Sequence, residues 1–166
     1  MTKLILYSIL FLSIFQLDKS TETNYQLKNE KLVYQLKMKN GKQLSVCIDK
    51  DEKYIVYRYG SKNKIELEYP KQKDFLSFKK FEYSGWSRGG GVENSAMELK
   101  YLAFTNKQVK YVIYDTYFAE GNKTNAGIKV IESKNKITDL KGLKKSKKGN
   151  LSDLKDKVNE GEELYD

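Results

Sequence analysis

The chain reads as an all-β domain: an antiparallel barrel or sandwich of about seven to nine short strands with a short C-terminal helix. Three observations lead there. After residue 25 the apolar residues recur mostly with a period of two, the alternation of a half-buried strand. Polar clusters of Asn, Asp, Gly and Lys interrupt that alternation roughly every ten residues, the spacing of turns. Before residue 150 no stretch keeps a 3.6-residue apolar period long enough for the crossover helices of a parallel sheet.

The strands follow in order. Residues 32–38 (LVYQLKM) and 44–48 (LSVCI) flank Asn40-Gly41, the strongest short hairpin signal, and the spacing predicts a type I′ turn there. Residues 54–59 (YIVYRY) are β-branched and aromatic. Residues 64–69 alternate Ile65, Leu67 and Tyr69 against Lys64, Glu66 and Glu68, and Pro70 ends the run where a missing N–H costs least. Residues 75–83 carry Phe75, Phe78, Phe81 and Tyr83 and read as a less regular strand. Residues 97–104 and 109–118 are the most strand-like pair, followed by 127–131 and a short strand at 137–140. At the end, Leu151, Leu154 and Val158 share one side of a helix if residues 151–158 are helical.

The first twenty residues differ from the rest. Lys3 precedes residues 4–15 (LILYSILFLSIF), apolar except for Ser8 and Ser13, and polar Gln16 ends the run. Twelve helical residues rise roughly 18 Å, short of the ~30 Å hydrocarbon core of a bilayer. Length and flanks therefore predict a secretory signal peptide over residues 1–20, with cleavage after Ser20. The expected organisation is a single β domain over 21–150, then a helix and acidic tail over 151–166. The expected destination is the bacterial periplasm or the exterior.

Composition narrows the chemistry. Histidine is absent and cysteine occurs once, so His-based nucleophile activation, a His metal site, an intrachain disulfide and a Cys-rich metal centre are all excluded. No cofactor is expected. Cys47 lies in an alternating run and reads as a small apolar core residue. Thirty-one Lys and Arg against 22 Asp and Glu give a formal charge of +9, which favours anionic partners.

Two segments stand out. Ser84-Gly85-Trp86-Ser87-Arg88-Gly89-Gly90-Gly91 reads as a glycine-rich loop that could present Trp86, the chain's one tryptophan, beside the Arg88 anion fork. It matches neither nucleotide-binding glycine pattern, so it is either a bulged connection or a recognition loop. Lys141, Lys144, Lys145, Lys147 and Lys148 place five lysines within eight residues, able to hold phosphates, lipid headgroups or anionic glycans. A solvated linker neutralised by Glu160, Glu162, Glu163 and Asp166 is the other reading. The leader argues against nucleic acid. Glu66 and Glu68 share a strand face, as the paired acids of a glycoside hydrolase could, but they alternate with lysine as solvent-facing residues do. Asp115, inside an apolar run, reads as a satisfied inward group that could meet Arg58.

Residues 54–69 and 87–118 are similar to small exported bacterial β proteins that carry no assigned activity. Ser84-Gly85 also resembles the start of the Ser-Gly-x-x-Tyr motif with which periplasmic lysozyme inhibitors plug a lysozyme active site, with Arg88 where the tyrosine would stand. That resemblance implies a small exported β barrel or sandwich in which Ser84, Gly85, Trp86 and Arg88 insert into a hydrolase.

The functional expectation is an exported, non-enzymatic protein that presents the glycine-rich segment to a protein partner in the envelope or outside the cell, as an inhibitor or immunity-type protein. The alternatives are an envelope-associated protein that binds anionic lipid or polysaccharide through its lysines, and a carboxylate-based hydrolase.

Overall fold

The computed structural model describes residues 25–91 and 94–161. The expected signal peptide (residues 1–20) and the acidic residues Glu162, Glu163 and Asp166 lie outside the described residues. Nine strands of six residues or more form: β1 Glu30–Lys37, β2 Gln43–Asp49, β3 Ile55–Ser61, β4 Lys64–Tyr69, β5 Glu82–Arg88, β6 Met97–Asn106, β7 Val109–Phe118, β8 Lys123–Ser133 and β9 Lys136–Lys141. Two-residue strands β10 (Lys148–Gly149) and β11 (Asn159–Glu160) complete the set.

The strands build two sheets, ordered β10-β1-β2-β3-β4 and β11-β5-β6-β7-β8-β9. Every pairing is antiparallel except that of β11, which runs parallel to β5. The barrel expectation is corrected: the sheets do not close. They meet at one corner, where Met38 bridges Gly142 and Leu143 N–H donates to the Lys37 carbonyl.

Alternation places one apolar row of each sheet in a common core. Leu44, Val46, Ile55 and Tyr57 from the first sheet share a buried cluster with Tyr83, Leu102, Phe104, Ile113 and Ile128 from the second and with Phe81, which leads into β5. Phe104 is its hub, with ring centroids 4.6 Å from Tyr69, 4.9 Å from Tyr57 and Tyr111, and 5.4 Å from Phe81. Such pairs add roughly 0.5–1.5 kcal/mol each beyond the area they bury.

Three local expectations change. Residues 75–80 form a 3-10 turn, Phe75–Lys80, because the Asp74 carboxylate accepts from Leu76 N–H at 2.9 Å and caps it. The expected C-terminal helix shrinks to a 3-10 turn, Leu151–Leu154, that buries both leucines; Val158 follows it and precedes β11. At Asn40-Gly41 a hairpin forms, but only Gly41 has positive φ (80°). Gly41 N–H closes on the Met38 carbonyl and Met38 N–H on that of Lys42, the three-residue loop with a glycine bulge. The doubly positive turn sits instead at Lys107 and Gln108 (φ 49° and 67°), between β6 and β7.

Candidate binding edge on strand β5

The segment read as a glycine-rich loop divides in two. Ser84, Gly85, Trp86, Ser87 and Arg88 belong to β5 and pair with β6, Trp86 facing Leu99 and Arg88 facing Met97. Of this segment only Gly89, Gly90 and Gly91 form the loop, exposed, with Gly91 N–H donating to the Asn94 carbonyl at 2.9 Å. The loop expectation is therefore corrected for residues 84–88. Glycine and serine have low strand propensity, but β6 supplies a ten-residue template that overrides it.

Strand geometry fixes what β5 offers. Asn159 N–H donates to the Phe81 carbonyl and Gly161 N–H to that of Tyr83, so odd-numbered residues turn their backbone groups toward β11. That partner covers only Glu82 and Tyr83. Beyond it, Gly85 and Ser87 point N–H and C=O toward an edge that no strand covers among the described residues. Gly85 is glycine for a packing reason. A Cβ there would lie 2.3 Å from the Tyr83 hydroxyl oxygen, because the Tyr83 ring lies along the strand over it.

Side chains alternate about that edge. Trp86 is 41% exposed on the outer face, and the Arg88 guanidinium sits 5.7 Å from its ring centroid. Arg88 also donates from Nε and Nη2 to the Ser95 carbonyl at 3.2 and 3.1 Å, so its fork holds the loop rather than standing open for an anion. Beside Tyr83, Ser84 and Gly85 lies a groove of about 330 Å3, walled on its other side by Lys155, Asp156, Val158, Asn159, Glu160 and Gly161. The sequence gives no sign of this wall, since a two-residue strand has no alternation to read.

The lysine run does not form one patch. Lys141 Nζ pairs with Asp139 at 2.6 Å over the Tyr114 ring, and Lys147 Nζ contacts both oxygens of Asp115 at 2.9 and 3.1 Å. Lys144 and Lys145 are exposed in a 3-10 turn, and Lys148 lies in β10. Asp115 is inward and satisfied as expected, but by Lys147, not Arg58. Glu66 pairs with Lys42 at 2.6 Å, whereas Glu68 pairs with Arg58 and Lys73 at 2.7 and 3.0 Å, so the two acids of β4 are each held by cations.

Arg58 instead centres a buried network on the outward face of the first sheet. Its Nη1 and Nη2 donate to the two oxygens of Glu30 at 2.6 and 2.7 Å, Nε donates to Glu68, and Nη1 also reaches the Tyr25 carbonyl at 2.8 Å. Arg58 is 1% exposed and Glu30 is inaccessible. Burial opposes charge on Glu30, but hydrogen bonds from Arg58, Leu27 N–H and the Tyr54 hydroxyl outweigh it and hold its pKa below the usual carboxylate range. Cys47, on the same face, is fully buried, and burial raises its thiol to about 12. As expected, it packs as an apolar side chain, among Tyr54, Val56 and Leu32.

No protein-family model matches the chain, and neither a curated protein nor a solved structure resembles it significantly. Among the described residues no group of three or more acidic or Cys side chains is placed to hold a metal ion, and no helix is long and apolar enough to cross a membrane.

Proposed function

We propose that the protein is an exported, non-enzymatic binding protein, built as a two-layer β sandwich, that receives an extended segment of a protein partner along β5. One observation carries this reading: the backbone groups of Gly85 and Ser87 face an edge that no strand covers among the described residues, beside exposed Trp86. An incoming strand would take its hydrogen bonds from that edge and its side-chain selectivity from Trp86 and the adjoining groove, the mode of β-augmentation. Exposed edges invite indiscriminate pairing, and natural sheets usually blunt them. Here the glycine loop after Arg88 and the short β11 confine the open stretch to a few residues, which favours a selective partner.

The test is capture from an envelope extract with the chain as bait. The proposal expects a discrete partner that is retained by the native chain and lost with Ser87→Pro, which removes one edge N–H. It expects the same loss with Trp86→Ala. A panel of muramidases tests the inhibitor form directly, since lysis should fall at micromolar excess. Capture indifferent to both substitutions overturns the edge as the binding element, and unchanged lysis across the panel removes the lysozyme-inhibitor form.

A further inference from the structure

The two most exposed large apolar side chains among the described residues are neighbours: Phe75, 70% exposed, and Leu76, 57% exposed. They open the 3-10 turn Phe75–Lys80, which is fixed from several sides. Asp74 caps it, and buried Ser77 accepts from Ile55 N–H of β3 at 2.8 Å through its Oγ. Phe78 is buried in the core beneath Phe75, with ring centroids 5.8 Å apart. The Asn159 side chain donates to the Lys79 carbonyl at 3.0 Å. The turn thus holds Phe75 and Leu76 out in solvent as a built feature of the fold.

Lysines flank the pair in the chain. Lys71, Lys73, Lys79 and Lys80 lie within the same ten residues, against the single acid Asp74, whose carboxylate is used in the cap. Lys73 pairs with Glu68 at 3.0 Å, whereas Lys71, Lys79 and Lys80 are exposed and make no ion pair among the described residues. Protein–protein hot spots favour Trp, Tyr and Arg, and interfaces are depleted in lysine. An exposed aromatic and aliphatic pair with lysines on both sides of it in the chain suits a different surface. Its apolar tips can enter the boundary between headgroups and acyl chains while the lysines rest on phosphates.

We propose that the turn Phe75–Lys80 docks the protein reversibly on an anionic lipid bilayer, with Phe75 and Leu76 inserted and Lys71, Lys79 and Lys80 on the headgroups. Two inserted side chains and three cations give marginal, salt-sensitive binding rather than an anchor. Strand β5 starts two residues past the turn, so Gly85 to Arg88 lie about 10–20 Å along it from its first residue. The inserting pair and the strand-receiving edge use different residues, and neither proposal depends on the other.

The test places a reporter at the tip: Phe75→Trp in a Trp86→Phe background, full chain, mixed with phosphatidylcholine vesicles containing one third phosphatidylglycerol and brominated acyl chains. Trp at position 75 should shift to the blue and be quenched by bromine. Neutral vesicles should leave it unchanged. Reversing Lys79 and Lys80 to Glu should weaken partitioning by at least about tenfold, and raising salt should do the same without any substitution. A reporter that stays in water while the chain sediments with the vesicles overturns the proposal, as does equal quenching by neutral vesicles. A reporter shielded only by soluble envelope protein also overturns it and assigns the tip to a protein.

Discussion

The Arg58 network on the outward face of the first sheet and the β5 edge of the second both present polar groups that a sheet must manage, and they manage them in opposite ways. On the first sheet, Arg58 is enclosed by Glu30, Glu68 and the Tyr25 carbonyl, with Glu30 further held by Leu27 N–H and Tyr54. At β5, the Gly85 and Ser87 backbone groups meet no strand among the described residues, and the side chain between them is a half-exposed tryptophan. The first region spends its charge on holding the segment at residues 25–30 against the sheet. The second leaves hydrogen-bonding capacity unspent at the surface. The Arg58 network, closed on itself, points to structure, whereas the β5 groups, which meet no strand among the described residues, point to recognition.

That contrast can be broken most strongly at Arg58. Arg58→Met leaves Glu30 buried without its counter-ion and should cost about 3–5 kcal/mol in denaturant unfolding, whereas Arg58→Met with Glu30→Leu should recover much of the loss. Partner capture by the folded fraction should be unchanged, because the network lies on the other sheet. Next in size is Gly85→Ala, which drives a methyl into the Tyr83 ring and should cost about 1–3 kcal/mol. The cost should shrink in a Tyr83→Leu background, a coupling that a double-mutant cycle reads directly.

A smaller effect is expected from pH. Burial raises and the hydrogen bonds lower the pKa of both Glu30 and Glu68, and in each the lowering prevails, with Arg58 leading it and Lys73 assisting at Glu68. The unfolded carboxylates titrate near about 4.3. Between the folded and unfolded values the unfolded chain binds more protons, so stability rises with pH across that window. The contribution is complete above the unfolded value and disappears as pH falls through the lowered folded one. Glu30→Gln should flatten the acid limb of stability against pH between about 5 and 2, measured by chemical denaturation at each pH.

Much of the fold was legible because alternation and template strength agreed. Residues 64–69 and 109–118 match β4 and β7 end to end, since Ile65-Leu67-Tyr69 and the VKYVIYDTYF run each carry their own strand signal. Legibility failed where a neighbour decided the outcome. Residues 84–88 look like a loop because Gly85 and Ser87 contribute no alternation, and β6 makes them a strand. Residues 75–83 look like a strand because Phe75, Phe78, Phe81 and Tyr83 suggest one, yet the Asp74 cap and the Ser77 contact with β3 curl residues 75–80 into a 3-10 turn. Of the candidate site, Trp86 and Arg88 were singled out from sequence, but the groove wall at Lys155–Gly161 depends on a two-residue parallel pairing that no periodicity reveals. The lysine run seemed continuous because charge spacing along a chain says nothing of Asp115 and Asp139 across it.

Amide hydrogen exchange, read residue by residue along β5, weighs the open edge most directly. In the free protein, the N–H groups of Ser84 and Trp86, which face β6, should exchange slowly, while those of Gly85 and Ser87 should exchange at nearly the rate of an unstructured chain. Addition of the captured partner should slow Gly85 and Ser87 and leave Ser84 and Trp86 unchanged. Slow exchange at Gly85 and Ser87 in the free protein would mean that the edge is already occupied and would contradict the account.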